Sequence, residues 1–162
     1  MRARGLDHVS VTVADLDRSL EFYRGLLGIP LLGRGEENGP PVAHGTRTLS
    51  SRFRFADLSL GSGQILEHLQ YLRPKNKPLR PTPFAPGGGH IGFRVTDLEA
   101  ALDRLHKAGV APQFRPIQLD SPAWWAGARV VYVTDPDGTT VELVERQTPT
   151  QTRRPKKSSK GM

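Results

Sequence analysis

His90-Ile91-Gly92-Phe93-Arg94-Val95-Thr96-Asp97-Leu98-Glu99-Ala100-Ala101-Leu102 says for a second time what His8-Val9-Ser10-Val11-Thr12-Val13-Ala14-Asp15-Leu16-Asp17-Arg18-Ser19-Leu20 has already said. At an offset of 82 residues His8 falls on His90, Val9, Val11 and Val13 on Ile91, Phe93 and Val95, Asp15 on Asp97, and Leu16 and Leu20 on Leu98 and Leu102. An internal repeat of this kind makes two modules of one plan. In each copy the apolar side chains alternate with a second face that carries the histidine, the two-residue period of a strand buried on one side. Each copy then passes through an Asp into a helix-period run, so each opens as strand, turn and helix.

Working outward, residues 6–13 read as the first strand, and Asp15 or Asp17 caps a helix that buries Leu16, Leu20, Tyr23 and Leu27 before Gly28 and Pro30 end it. Residues 33–47, with their glycines, Pro40-Pro41 and a lone His44, read as a loop in which His44 is solvated rather than a ligand. Residues 48–60 alternate enough for one strand or two, 61–63 turn, and 64–72 form another strand. Residues 73–89 hold five prolines and end in three glycines, the composition of a linker. The second module follows the same plan: a strand over 90–95, a helix over about 97–107 closed by Gly109, and strands near 112–118, 128–134 and 139–145. The turn before the last strand is Asp135-Pro136-Asp137-Gly138. The fold class expected is α+β: two tandem βαβββ modules (5–72 and 90–146) forming a cupped, partly closed, barrel-like sheet with helices outside. Together they make a single domain over 1–147. Trp124 and Trp125, adjacent on a loop, fit a hydrophobic plug or a pocket wall equally well.

A chain of 162 residues suits one domain that buries roughly 70% of its unfolded surface. No apolar run approaches the ~20 residues of a membrane span, and no signal-peptide pattern opens the chain. There is no cysteine, so neither disulfide nor thiolate chemistry is open to it. The expected location is the cytoplasm. A formal net charge of +7 raises nucleic acid as a partner. Six of the 23 basic residues, however, lie in the last 17 positions, in a Thr, Pro, Ser and Lys segment too polar to pack. A basic disordered tail over 148–162 is expected, and nucleic acid is not the expected partner.

The two modules place their histidines equivalently, and each final strand carries a carboxylate, Glu67 or Glu142, among apolar neighbours. A bare charge is costly there. A metal ion would remove that cost, and His8, Glu67, His90 and Glu142 form a nitrogen and oxygen set able to hold one divalent ion (Zn, Ni, Co, Mn or Fe(II)) with positions open to substrate. If the strand over 64–72 were shifted by one residue, His68 would replace Glu67.

Those residues, with Ser19-Leu-Glu-Phe-Tyr23, Leu27-Gly28, Asp135-Pro-Asp-Gly138 and Val141-Glu-Leu143, make the chain resemble the vicinal oxygen chelate superfamily over roughly residues 5–146. That superfamily includes glyoxalase I, methylmalonyl-CoA epimerase, extradiol dioxygenases, and the fosfomycin and bleomycin resistance proteins. The resemblance implies His8, Glu67, His90 and Glu142 as ligands, and Glu142, Glu67 and Tyr132 as catalytic candidates. Trp124, Trp125, Tyr71 and Thr12 are candidates for the substrate pocket. Glyoxalases that take glutathione carry Arg and Asn where this chain has Thr12 and Tyr71, which points away from glutathione. The epimerase takes a second glutamate from an earlier strand, where Arg52-Phe-Arg-Phe-Ala-Asp57 offers arginines and an out-of-phase Asp57. Tyr132, ten residues before Glu142, matches a dioxygenase spacing. The function expected is a metal-dependent isomerase or lyase that abstracts a proton beside a metal-chelated carbonyl of a small molecule, through an enediolate, in a homodimer. A ring-cleaving Fe(II) dioxygenase and a drug-binding or resistance protein are the alternatives.

Overall fold

Asp15 and Asp97 each stop a strand and start a helix. Their backbones are extended, and their carboxylates accept the N–H of Arg18 and of Ala100, three residues on, at 3.0 and 2.9 Å. Each thereby satisfies one of the amides that a first helical turn leaves open. The computed structural model describes residues 2–38, 51–75, 77, 82 and 84–146. The expected loop with His44 lies partly, and the basic tail wholly, outside the described residues.

The first module runs β1 (His8–Thr12), α1 (Leu16–Leu20, continuing as a π-helical turn over Glu21–Leu26), β2 (Leu31–Asn38), β3 (Arg52–Gly61) and β4 (Gln64–Arg73). The second runs β5 (His90–Val95), α2 (Leu98–Lys107), β6 (Ile117–Leu119), β7 (Ala128–Thr134) and β8 (Thr140–Glu145). The two sheets have the same order, β1-β4-β3-β2 and β5-β8-β7-β6, with the first strand of each module parallel to its last. The repeat therefore extends from sequence to topology. The sheets stay separate and do not close into a barrel, as a cupped arrangement requires.

Two stretches differ from expectation. Residues 31–38, expected mostly as loop, form β2, which pairs with β3 from Leu31↔Leu58 to Asn38↔Arg52. Glycines and charges conceal the strand because it lies at the sheet edge with few side chains to bury. The strand expected at 112–118 shrinks to Ile117–Leu119, since Pro112 and Pro116 bring no N–H to a ladder and bias the residues before them. Gln113 N–H alone reaches the Tyr132 carbonyl there, at 2.8 Å.

One core joins the modules. The π-helical turn, in which Leu27 N–H reaches back to the Phe22 carbonyl, buries Phe22 as well as Tyr23 and leaves Leu27 only half-buried. Tyr23 is fully enclosed; its ring meets His68 at 4.4 Å and Phe93 of the second module at 6.1 Å. Its hydroxyl donates to Asp135 Oδ2 at 2.9 Å, while Asp135 Oδ1 accepts the amides of Asp137 and Thr139. Burial, then the charge of Asp135, push the Tyr23 pKa up, so the hydroxyl is a fixed donor. Leu16, Leu20, Leu58 and Leu66 of the first module meet Leu98, Leu105, Val131, Val141 and Leu143 of the second in the same cluster. Thus the helix-covered faces of both sheets meet, and the opposite faces remain open. Among the described residues no helix is long and apolar enough to cross a membrane.

Candidate metal and substrate site

On the open face of the second sheet the parallel register sets Gly92 beside Glu142 and His90 one step earlier, while the antiparallel neighbour sets Tyr132 directly opposite Glu142. His90 Nε2 lies 3.3 Å from Glu142 Oε2. The Glu142 side chain is only 10% exposed, so its charge depends on what faces it. Tyr132 lies against His90, with ring centroids 5.2 Å apart, and against Phe114 at 5.4 Å. Burial and then the negative charge of Glu142 raise the Tyr132 pKa, so its hydroxyl stays protonated. Gly92 is what lets the carboxylate lie flat on the strand: a Cβ there would stand 3.2 Å from Glu142 Oε2, closer than an ordinary contact.

The first sheet repeats the arrangement. Ser10 is the parallel neighbour of Glu67, so His8, Ser10 and Thr12 share a face with Ile65, Glu67, Leu69 and Tyr71. His68 lies on the other face, fully buried against Tyr23, so the register puts Glu67 and not His68 beside the repeat histidine. The His8 pKa is raised, first by its hydrogen bond with Asp7 and further by the charges of Glu67 and Asp57. Tyr71 packs against Phe53 with ring centroids 5.5 Å apart and the planes tilted by 60°, and burial, then the charge of Glu67, raise its pKa. Thr12 is exposed at the end of β1.

Asp57 is in phase, contrary to expectation. The turn at 61–63 sets Asp57 directly opposite Glu67, on the same face. Burial first and the Glu67 charge second hold its pKa above the usual carboxylate range. It is the structural counterpart of Tyr132: each stands ten residues before the module's glutamate and opposite it. That shared spacing, visible in the sequence, is the signal that could have found it.

Of the two tryptophans, Trp125 packs against Ala128, Val130 and Val144, an apolar cluster continuing the face of Glu142, under the guanidinium of Arg146 at 4.1 Å. Trp124 is 74% exposed. The structure thus brings His90 together with Glu142 and Tyr132, and sets His8, Glu67 and Asp57 on one face of the first sheet. It does not join the two groups: among the described residues no three His, Asp or Glu side chains gather as a metal cage. A cavity of about 280 Å³ lined by Leu16, Arg34, Gly35, Glu36 and Arg54 lies apart from both, its arginines already paired with Asp17.

Comparison with known proteins bears on the family and the fold. A 2-epi-5-epi-valiolone epimerase of Actinomyces is 32% identical over 148 residues, covering 88% of this chain and 79% of that protein. A lactoylglutathione lyase of Pseudomonas aeruginosa is 30% identical over 156 residues, covering 86% and 81%. The crystal structure of a glyoxalase family protein from Bacillus cereus superposes with a TM-score of 0.79 at 22% identity, over 91% of this chain and 97% of that one, and so shares the fold. Residues 5–143 match the Glyoxalase/Bleomycin resistance protein/Dioxygenase superfamily, and the chain, with its duplicated module and open-faced sheets, belongs to it.

Proposed function

We propose that the chain is a metal-dependent lyase or isomerase of the glyoxalase type, which moves a proton on the carbon next to a carbonyl of a small molecule in the cytoplasm. The observation that carries this is the pairing of His90 with the nearly buried Glu142 at 3.3 Å, together with the repeat of their strand positions in His8, which itself pairs with Asp7, and Glu67. Imidazole nitrogen and carboxylate oxygen suit Zn, Ni, Co, Mn or Fe(II), and a carboxylate as enclosed as Glu142 is the kind that needs a cation. His8, Glu67, His90 and Glu142 would hold the ion. Bound there, it would act as a Lewis acid toward substrate oxygens.

The remaining work falls to the chain. A carboxylate committed to a cation is a poor base, and Asp57 offers one outside the ligand set, opposite Glu67 and holding its proton more tightly than an ordinary aspartate. Glu67 or Glu142 would serve as base only by leaving the ion. Tyr132, protonated, packed against His90 and hydrogen-bonded to Glu142, would turn its hydroxyl from that carboxylate to a substrate oxygen once Glu142 is committed to the ion. Tyr71 and Trp125 supply apolar walls that exclude water, and Thr12 and Trp124 stand at the rims.

The modules share their helix-covered faces, so each chain presents two outward half-sites. We propose that a homodimer completes them, the first-module pair of one copy with the second-module pair of its partner. The family relatives named as a lyase and an epimerase favour proton transfer. Metal-loaded protein assayed with 2-oxoaldehydes, their thiol adducts, epimerisable 2-hydroxy ketones and catechols, with and without oxygen, tests the proposal. Oxygen-independent turnover of a carbonyl substrate is expected, and oxygen uptake with a catechol would replace it with ring cleavage.

A further inference from the structure

Arg94 sits on β5 two residues past Gly92, on the same face as His90 and beside Val144. Along a strand two residues span about 7 Å. Its side chain therefore starts about that far from the level of Glu142 and is long enough to reach a small molecule held there. It is exposed, and among the described residues no carboxylate, carbonyl or aromatic ring engages it. Among the described residues, six of the other arginines are committed to partners. Arg18 pairs with Asp137, Arg34 and Arg54 with Asp17, Arg52 with Glu36, Arg129 with Glu99 and Glu145, and Arg146 lies over Trp125 while donating to the Trp124 carbonyl.

The setting adds a second observation. Arg94 is flanked by the apolar cluster of Ala128, Val130, Val144, Leu119 and Trp125. A ligand lying over that cluster displaces water, and a fork of N–H donors then binds an anion more strongly than it would in open solvent. The repeat sharpens the point. The position equivalent to Arg94 in the first module is Thr12, so the duplication keeps the histidine and departs here, putting a cation on one half only.

We propose that Arg94 determines specificity, and that the substrate is a small molecule whose chelating oxygens would sit on the ion held by Glu142 and which carries an anionic group, carboxylate or phosphate, that Arg94 holds. This rests on the metal site proposed above. Zinc-loaded protein is titrated calorimetrically with acetohydroxamic acid, a neutral two-oxygen chelator, and with three longer hydroxamates whose tails end in a carboxylate, a phosphonate or a neutral amide. Trp fluorescence provides a second readout.

The carboxylate or the phosphonate tail should tighten binding at least tenfold over the amide tail, and whichever gains more identifies the anion. Arg94→Gln should erase that gain and leave the amide-tailed probe within twofold of wild type, while Arg94→Lys should keep part of it. Equal affinity for charged and amide tails in the wild type overturns the Arg94 assignment and leaves the metal site standing. Failure of all four probes to bind zinc-loaded protein removes the proposed chelation of substrate at the ion, and the assignment falls with it. A change in sedimentation coefficient on Arg94→Gln would place the residue in a contact between copies and likewise overturn the assignment.

Discussion

Replacing His68 with leucine should stabilise the protein, and more so in acid. His68 is fully buried, and neither ring nitrogen has a hydrogen-bond partner among the described residues. An unmatched buried polar group costs about 1–3 kcal/mol. Against this, leucine forfeits the ring contact with Tyr23 at 4.4 Å, worth about 0.5–1.5 kcal/mol. At pH 7 the balance is small and favours leucine. The pH dependence isolates the effect. Burial lowers the His68 pKa from 6.5 to about 4, with the Asp137 charge opposing. The folded pKa is below the unfolded one, so as pH falls through 6.5 the unfolded chain takes up a proton that the folded chain refuses until about 4. Stability from the neutral ring is complete above pH 6.5 and is lost toward pH 4. By pH 5 that loss amounts to about 2 kcal/mol. Urea denaturation of wild type and His68→Leu at pH 7 and pH 5 should therefore show the variant's advantage growing by about 2 kcal/mol at the lower pH. An advantage that stays the same at both pH values would refute the reasoning, because packing losses cancel in that difference and only an unshifted or hydrogen-bonded histidine leaves none.

Three further substitutions probe other links. Tyr23→Phe removes the hydroxyl that Asp135 Oδ2 accepts and leaves a buried carboxylate short of a donor; calorimetry should show a loss of about 1–3 kcal/mol, and an unchanged melting temperature would show the bond to be dispensable. Gly92→Ala puts a methyl against Glu142 Oε2, so metal titration should weaken at least threefold while urea stability barely changes. Asp57→Asn should bind metal within threefold of wild type yet lose about a hundredfold or more in kcat, the usual scale of a proton-transfer group; equal losses in affinity and kcat would make Asp57 a ligand instead.

The features legible in sequence are those that repeat. His8 and His90, the alternation around them, the capping aspartates and the Asp135–Gly138 turn all carry local signals, and they located both modules and the strand face of each histidine. What escaped depends on partners across the sheet. Residues 31–38 form a strand because β3 offers a free edge, not because their own pattern demands it. Asp57 faces Glu67 because of where the turn at 61–63 sets the register, and the pattern of its own strand does not disclose that phase. The separation of the two histidine and glutamate groups was also hidden. It follows from the shared core around Tyr23, whose partners His68, Phe93 and Asp135 lie far from it in sequence.

Metal binding by complementary variants tests the central claim most directly. Wild type, His8→Ala, His90→Ala and an equimolar mixture of the two variants, allowed to exchange subunits, are loaded in turn with Zn, Ni, Co, Mn and Fe(II), freed of excess ion and analysed for metal. Wild type should retain about one ion per chain. Each variant alone should lose at least the tenfold in affinity typical of disturbing even the surroundings of a ligand. The mixture should regain tight binding, because every mixed dimer then has one site with both histidines intact. Wild type that retains none of the five ions would contradict the claim of a metal site, and a mixture no better than its components would contradict its assembly across two copies.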